Sequence, residues 1–186
     1  MTLTVPPPMT TRPWAILDFC APEVSVFGQL VNQTNTGPAS GFFGTANTAV
    51  AIPFMLRSNL TILKLGWING AAAGNNHCIA IYDASYARLV TTGSTLGSGN
   101  NTLQWVDTAD TALVRDTLYW VAYNHESITV DRCTTYGGMQ FGTCALSGML
   151  QQAVGAIALP DPLVPVALTQ ARAFPAPYAL VTAGLG

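Results

Sequence analysis

The chain has 186 residues, of which only 9% are Asp, Glu, Lys or Arg, and its formal net charge is −2. Ordinary soluble domains carry charge at about 25% of their positions. One lysine and scattered arginines exclude the basic stripe of a nucleic-acid binder. The surface must consist of small polar residues or be buried against other subunits, because an uncharged face loses no ionic hydration on assembly.

Neither a membrane span nor an export signal is predicted. The longest stretch without charge, residues 133–160, is interrupted by Thr, Gly and Gln. It is too polar for a span of about 20 apolar residues. Residues 1–14 lack the basic and apolar regions of a signal peptide. We therefore expect a protein that is made in a cytoplasm and does not enter a membrane.

Residues 1–23 are predicted to form an extended arm, because their prolines exclude a helix or a central strand. Trp14, Ile16 and Phe19 are its candidate interface residues. The arm either packs on its own domain or crosses to a neighbouring subunit. Residues 24–186 are predicted to form a single β-sandwich domain with a Pro-rich C-terminal segment.

After the arm, short alternating segments rich in β-branched and aromatic residues are separated by turns of Gly, Asn, Ser and Asp. This pattern predicts an all-β, antiparallel, jelly-roll-like sandwich and no helix longer than about two turns. The predicted strands are 24–31, 48–57, 61–69, 77–83, 87–93, 101–107, 117–124, 126–131 and 178–182. The predicted core residues are Ile62, Leu65, Trp67, Ile79, Ile81, Leu103, Trp105, Tyr119, Val121, Ile128 and Val130.

The predicted connections differ in kind. Pro53 marks a sheet edge or a bulge, because proline cannot donate to a ladder. Residues 107–116 are a loop or one helical turn, and 155–159 are a short strand or part of a longer loop. Residues 133–148 form a Gly-rich excursion, and loops of that length are usually functional or at an interface. Its candidate interface residues are Tyr136, Met139 and Phe141.

No catalytic arrangement is recognisable, so no enzyme activity is expected. Ser94 and Ser98 lie in Gly-rich turns without the elbow pattern of a nucleophile. His77 and Cys78 are adjacent on a strand and therefore point to opposite faces. His125 lies where one strand turns into the next, which predicts a surface histidine.

No cofactor or metal site is predicted either. The four cysteines lack a CxxC spacing and only two histidines are present, so buried free thiols are the default expectation. A bridge between Cys133 and Cys144 remains open. Asp83 and Asp107 are turn residues without the ordered acidic spacing of a calcium loop.

Exposed aromatic residues are the remaining functional candidates. Tyr86, Trp105 and Tyr123 are a possible glycan-stacking platform, and the alternative is that they belong to the core or to an interface.

One part of the chain resembles a known family. The segments TAVAIPFMLRSNLTILKLGWINGAAAGNNHCIAIYD, ARLVTTGSTLGSGNNTLQWVD and TLYWVAYN resemble a jelly-roll-like domain of tailed-bacteriophage virion proteins. That family includes capsid decoration proteins, head fibres and tail-fibre tips. The resemblance covers residues 34–124, and the ends 1–23 and 133–186 depart from it.

The resemblance implies a structural virion protein that is assembled in the host cytoplasm. The expected role is a capsid decoration protein that binds the outer capsid surface as a homotrimer. Its expected partners are copies of itself and the major capsid protein or another virion protein. The alternative is a receptor- or carbohydrate-binding tip of a tail or head fibre, whose partner is a host surface glycan. The resemblance implies no catalytic residues.

Overall fold

The computed structural model describes residues 14–15, 46–56, 58–69, 74–100, 102–126, 150–167 and 178–183. These residues form eleven strands. None of them belongs to a helix long and apolar enough to cross a membrane. The strands are β1 (Trp14–Ala15), β2 (Thr48–Met55), β3 (Leu60–Ile68), β4 (Asn76–Tyr82), β5 (Arg88–Thr91), β6 (Thr95–Leu96), β7 (Leu103–Leu113), β8 (Leu118–His125), β9 (Leu150–Ala153), β10 (Val166–Ala167) and β11 (Tyr178–Ala183).

The strands pair antiparallel in two sheets. A four-stranded sheet has the order β1-β11-β3-β7, and a seven-stranded sheet has the order β10-β9-β2-β8-β4-β5, with β6 also paired to β4. The chain changes sheet after β1, β2, β3, β6, β7 and β10, so the two strands on either side of each change lie in different sheets. This architecture confirms the predicted all-β antiparallel sandwich.

The core between the sheets is built from the large residue at every second strand position. Ile79 and Ile81 of β4, with Val121 and Tyr123 of β8, point towards Trp67 of β3, and all five are at most 1% exposed. Alternation follows from the pleat of a strand, which sends successive side chains to opposite faces. The β-branched and aromatic residues therefore collect on the inner face of each sheet.

The outer face of the seven-stranded sheet is lined by small residues. Ala49 and Ala51 of β2, Ala80 of β4 and Ala122 of β8 are each at most 1% exposed. Short side chains leave room for backbone to lie directly on the sheet, and residues 154–163, here called the strap, occupy that room. The central strands β2, β4 and β8 of this sheet are therefore buried on both faces.

Side chains of the sheet hold the strap through its backbone carbonyls. Asn124 Nδ2 donates to Ala156 O at 2.7 Å and to Ile157 O at 2.9 Å. Tyr82 OH donates to Pro160 O at 2.7 Å. Irregular backbone in a buried position needs such partners, because an unpaired buried carbonyl costs about 1–3 kcal/mol.

Six predicted strands are confirmed, and each of their ends agrees with the structure within two residues. They are 48–57, 61–69, 77–83, 87–93, 117–124 and 178–182, which correspond to β2, β3, β4, β5, β8 and β11. The predicted strand 24–31 and the excursion 133–148 lie outside the described residues. Of the predicted strand 126–131, only Glu126 is described, and it forms a bend.

The predicted loop or helical turn at 107–116 is wrong over most of its length. β7 continues to Leu113, and its last residues pair with Leu60–Ile62 of β3 beyond a bulge between Ile62 and Lys64. Alanine, threonine and aspartate made this segment read as a connection. Pairing with β3 and burial of Leu113 at 2% exposure override the weak local preference.

Leu103 and Trp105 were expected in the core, and this prediction is wrong. Trp105 pairs with Gly66 of β3, whose neighbours Leu65 and Trp67 point inward, so Trp105 points outward and is only partly buried. Seven other predicted core residues are buried, and Ile128 and Val130 lie outside the described residues.

Three connections are also settled by the described residues. Pro53 pairs with Trp120 of β8, and the described pairing of β9 with β2 stops at Ala51, so Pro53 lies where β2 has lost one neighbour, as an edge position requires. The Gly-rich segment that carries Ser94 and Ser98 contains the short strand β6. The segment 155–159 is part of the strap rather than a strand.

The predicted arm is described only at β1. Trp14 pairs with Ala179 and Ala15 with Tyr178 of β11, so at these positions the arm extends its own sheet. The division at residue 23 remains a prediction.

We predict that Gly66→Ala destabilises the protein by about 1–3 kcal/mol, the usual cost of overpacking. A Cβ at this position would lie 2.5 Å from Gln104 O and 2.7 Å from Trp105 Cε3. Denaturant unfolding measures the loss. Adding Trp105→Ala removes only the ring contact and should recover part of the stability. An unchanged midpoint for Gly66→Ala would contradict the described pairing of β3 with β7.

Candidate functional site

Polar and aromatic side chains collect at one end of the sandwich, between the two sheets. Trp67 and Asn69 come from β3 and the residue after it, His77 is the second residue of β4, and Tyr123 and His125 end β8. We call these five residues the histidine cluster. Their exposed fractions are 0%, 1%, 0%, 1% and 4% in chain order, so the cluster is closed off from solvent.

Strand register brings the two histidines together. His77 pairs with His125, and Ile79 pairs with Tyr123. Paired residues on the two strands therefore point to the same face of the sheet. Because Ile79 points into the core, His77 two residues earlier points there as well. The ring centroids of His77 and His125 are 4.6 Å apart with an edge-on angle of 63°.

His77 is held by its ring and by one nitrogen. Its Nδ1 lies 2.6 Å from Tyr123 OH, a hydrogen bond in which either group can donate. Its ring stacks on Trp67 at 4.9 Å and 24°. The Nε2 atom is buried without a hydrogen-bond partner. A Cβ on Gly97 would lie 2.9 Å from this Nε2, so the glycine backbone covers it closely.

Asn69 connects the cluster to the loop after β6. Trp67 Nε1 donates to Asn69 Oδ1 at 2.8 Å, and Asn69 Nδ2 donates to Ser98 O at 2.6 Å and to Gln104 Oε1 at 2.9 Å. Gln104 Oε1 also accepts from Ser98 N at 2.8 Å, and Gln104 Nε2 donates to Leu96 O at 2.9 Å. The loop therefore closes this end of the sandwich through the buried amide of Asn69 and the partly exposed amide of Gln104.

The cluster favours neutral imidazole. Burial, and secondarily the neighbouring His125, lowers the pKa of His77 to about 3. A buried cation loses its hydration, and a second positive charge close by would repel it. His77 is therefore uncharged at ordinary pH.

A carboxylate closes the outside of the same strand ends. Glu126 Oε2 accepts from Asn76 N at 2.9 Å and from Asn76 Nδ2 at 2.8 Å. These hydrogen bonds lower the pKa of the exposed Glu126 carboxyl, since they favour its charged form. The clamp joins the start of β4 to the residue after β8.

The cluster includes neither the neighbouring thiol nor a described metal site. Cys78 is on the opposite face of β4, 3.4 Å from Thr91 Oγ1, so the predicted separation of His77 and Cys78 is confirmed. Among the described residues, no group of three or more His, Cys, Asp or Glu side chains could hold a metal ion. The predicted surface position of His125 is wrong, because the register with His77 turns its ring into the core.

The interior described between the sheets is closely filled. A cavity of about 10 Å³ is lined by Phe54, Leu56, Leu60, Ile62, Leu113, Ala179 and Val181. Such a volume is about that of one water, and its walls are apolar. It does not provide a ligand site.

The proposed glycan platform is not brought together. Tyr123 is 1% exposed in the core, so it cannot contribute to an exposed platform and that prediction is wrong. Tyr86 packs on Trp120 at 5.2 Å, on the strap side of the seven-stranded sheet. Trp105 lies on the outer face of the other sheet. Alternation along the strands places these rings in three different environments.

The candidate interface residues fall largely outside the described part of the chain. Trp14 belongs to β1, whereas Ile16, Phe19, Tyr136, Met139 and Phe141 are not described. Cys78 is a buried free thiol, as expected. The open Cys133–Cys144 pairing also lies outside the described residues.

Comparison with known proteins identifies no family. No protein-family model matches the chain, and no curated protein matches it. The functional conclusion therefore depends on the chemistry and placement of the residues themselves.

We predict that Tyr123→Phe lowers the free energy of unfolding by about 1–3 kcal/mol, because His77 Nδ1 loses its buried partner. Denaturant unfolding at pH 7.5 measures the change. Tyr119→Phe is the matched control on the same strand, because its OH accepts from Val114 N at 2.9 Å in a part-buried hydrogen bond beside the exposed Val114, where water can reach. A larger loss for Tyr119→Phe would contradict the prediction.

Proposed function

We propose that the chain is a structural component of a bacteriophage virion, a capsid decoration protein that binds the outer capsid surface as a homotrimer. Its partners in this proposal are copies of itself and the major capsid protein, and its place is on the virion, assembled in the host cytoplasm. The observation that carries the proposal is a charge-poor surface with exposed aliphatic residues at both edges of one sheet.

The surface is poor in charge in a way that favours permanent contacts. Only 9% of the residues are charged. The described ion pairs, Lys64–Asp107 at 3.8 Å and Arg115–Asp116 at 3.6 Å, involve exposed side chains. Exposed pairs of this kind contribute about 0–1 kcal/mol. Attachment would therefore rely on burial of apolar area at roughly 25 cal/mol per Å².

Exposed aliphatic side chains lie at opposite edges of the seven-stranded sheet. Leu89 of β5 and Leu96 of β6 are 39% and 57% exposed at one edge. Val164 and Val166, beside and within β10, are 65% and 57% exposed at the other. Two different apolar edges on one molecule suit a head-to-tail interface, which closes into a ring when the rotation fits. A trimer is the ring that we propose.

Because both faces of the seven-stranded sheet are at least partly covered, its edges are the surfaces left for contacts with other subunits. The four-stranded sheet covers the inner face of the seven-stranded sheet, and the strap covers part of its outer face. The resemblance of residues 34–124 to phage virion domains adds support for the virion role, since this range contains β2 to β8. The fibre-tip alternative needs an exposed aromatic platform, and Tyr86, Trp105 and Tyr123 do not form one.

We predict that the wild-type chain has the solution mass of a trimer and that Val164→Asp with Val166→Asp converts it to a monomer that no longer attaches to particles. A charge buried at an interface loses its hydration without a partner. Light scattering after size-exclusion chromatography measures the mass. Val114→Asp is the control, because Val114 is 55% exposed in the β7–β8 turn, away from both edges. A monomeric wild type would remove the proposal.

Attachment to particles should also resist salt. At 1 M salt the screening length is about 3 Å, so an ionic attachment would be lost and an apolar one retained. Purified particles are washed with 1 M NaCl, and the protein is quantified by gel densitometry against the major capsid protein. We expect a retained band in a fixed ratio to the capsid subunit. Release by salt, or only a few copies per particle, would contradict a decoration role.

A further inference from the structure

Both histidines of the chain belong to one buried pair. The sequence contains only His77 and His125, and they are 0% and 4% exposed on neighbouring strands. Neither is near an exposed nucleophile that the described residues could use for catalysis. A buried polar nitrogen without a partner costs about 1–3 kcal/mol, which applies to His77 Nε2. Because this unpaired nitrogen destabilises the folded protein, we infer that the histidine pair has a role other than stability at neutral pH.

Among the described residues that face His77, none carries a negative charge. From β8 it is faced by Tyr123 and by His125, and from β3 by the uncharged Trp67 and Asn69. The loop after β6 contributes the backbone of Gly97, and β7 contributes the amide of Gln104 through Asn69. The exposed carboxylate of Glu126 bonds Asn76 and also interacts electrostatically with His125.

We propose that the His77–His125 pair is a proton-driven switch, in which acidification separates the start of β4 from the end of β8 and opens this end of the sandwich. The proposal concerns the chain alone and does not depend on the virion role. Its failure and the failure of that role are therefore distinguishable.

The direction of the switch follows from linkage. Burial and the neighbouring His125 hold the pKa of His77 near 3 in the closed state, against 6.5 when the ring is hydrated. The closed state is then fully favoured above about pH 6.5, and this advantage is lost progressively as pH falls towards 3. Between pH 7 and pH 5 this one imidazole raises the opening constant roughly 25-fold.

The opening can remain local because both histidines are at strand ends. His77 is the second residue of β4 and His125 is the last of β8. Separation there breaks a small set of backbone bonds, including Glu126 N to Asn76 O at 3.1 Å and Asn47 N to His125 O at 3.0 Å. The hydrophobic pairs further along β4 and β8 stay in place. Termini and strand ends open with lower free energy than core strands.

The range from pH 7 to pH 5 separates protonation of a hydrated imidazole from protonation of the Glu126 carboxylate. Hydrogen bonds from Asn76 lower the pKa of Glu126, so its carboxylate contributes stability that is present above its ordinary value of 4.5 and is lost only at lower pH. Between pH 7 and pH 5 the clamp on Asn76 remains charged. A change within that window therefore reports the histidines.

Hydrogen exchange of the full-length chain at pH 7 and pH 5 tests the proposal. After correction for the intrinsic rate, we expect exchange at residues 76–78 and 124–126 to rise about 25-fold, and exchange at 50–54 in β2 to stay constant. His77→Asn with His125→Gln should abolish the pH effect, since asparagine keeps a polar atom for Tyr123. Ile79→Val is the control, because it removes one core methyl group and should leave the pH effect intact.

Three results would overturn the switch. One is equal exchange at pH 7 and pH 5 in the wild type. Another is a parallel rise in β2, which would show that acid unfolds the whole domain instead of one end. The third is a pH effect that persists in the double variant. If the double variant fails to fold, NMR titration of the wild-type histidine Hε1 resonances decides, because a normal titration near 6.5 in the closed state also overturns the proposal.

Discussion

Burial of the seven-stranded sheet on both faces of its central strands β2, β4 and β8 is the constraint on which the rest of the structure depends. Its inner face needs bulk to fill the space against the other sheet, and Ile52, Ile79 and Val121 supply it. Its outer face needs small side chains so that the backbone of the strap can lie on it, and Ala51 and Ala80 allow this approach. Large and small residues therefore alternate along β2, β4 and β8. The same alternation carries the histidines inward and Asn124 outward to the strap.

Most of the fold could be predicted from local sequence, because period-two alternation and turn residues are local signals. β2, β3, β4 and β11 were recognised in this way. The end of β7 was not, since Ala, Thr and Asp have little preference for a strand and the segment is extended by its pairing with Leu60–Ile62 of β3. Trp105 was assigned to the core on its size. The opposing Gly66, which leaves space on the outer face, was the signal that could have corrected the assignment.

The site was less predictable, because register across strands decides it. His125 lies beside a charged residue and a turn, which made it read as a surface histidine. Counting forward in steps of two from Val121 through Tyr123 reaches His125, and counting back in the same steps from Ile81 on β4 reaches His77. That phase was visible in the sequence, but the pairing of His77 with His125 was not. Asn69 gave no signal, since its role depends on the loop that carries Ser98.

The sheet order also constrains how the chain can fold during synthesis. β3 lies between β7 and β11, and β3 ends at Ile68 whereas β11 begins at Tyr178. A ribosome must therefore deliver nearly the whole described sequence before β3 gains its second neighbour. Until then one edge of β3 presents unpaired backbone groups, which is the condition under which nascent β-chains associate wrongly. Completion of the four-stranded sheet is consequently a late event with large loop-closure entropy.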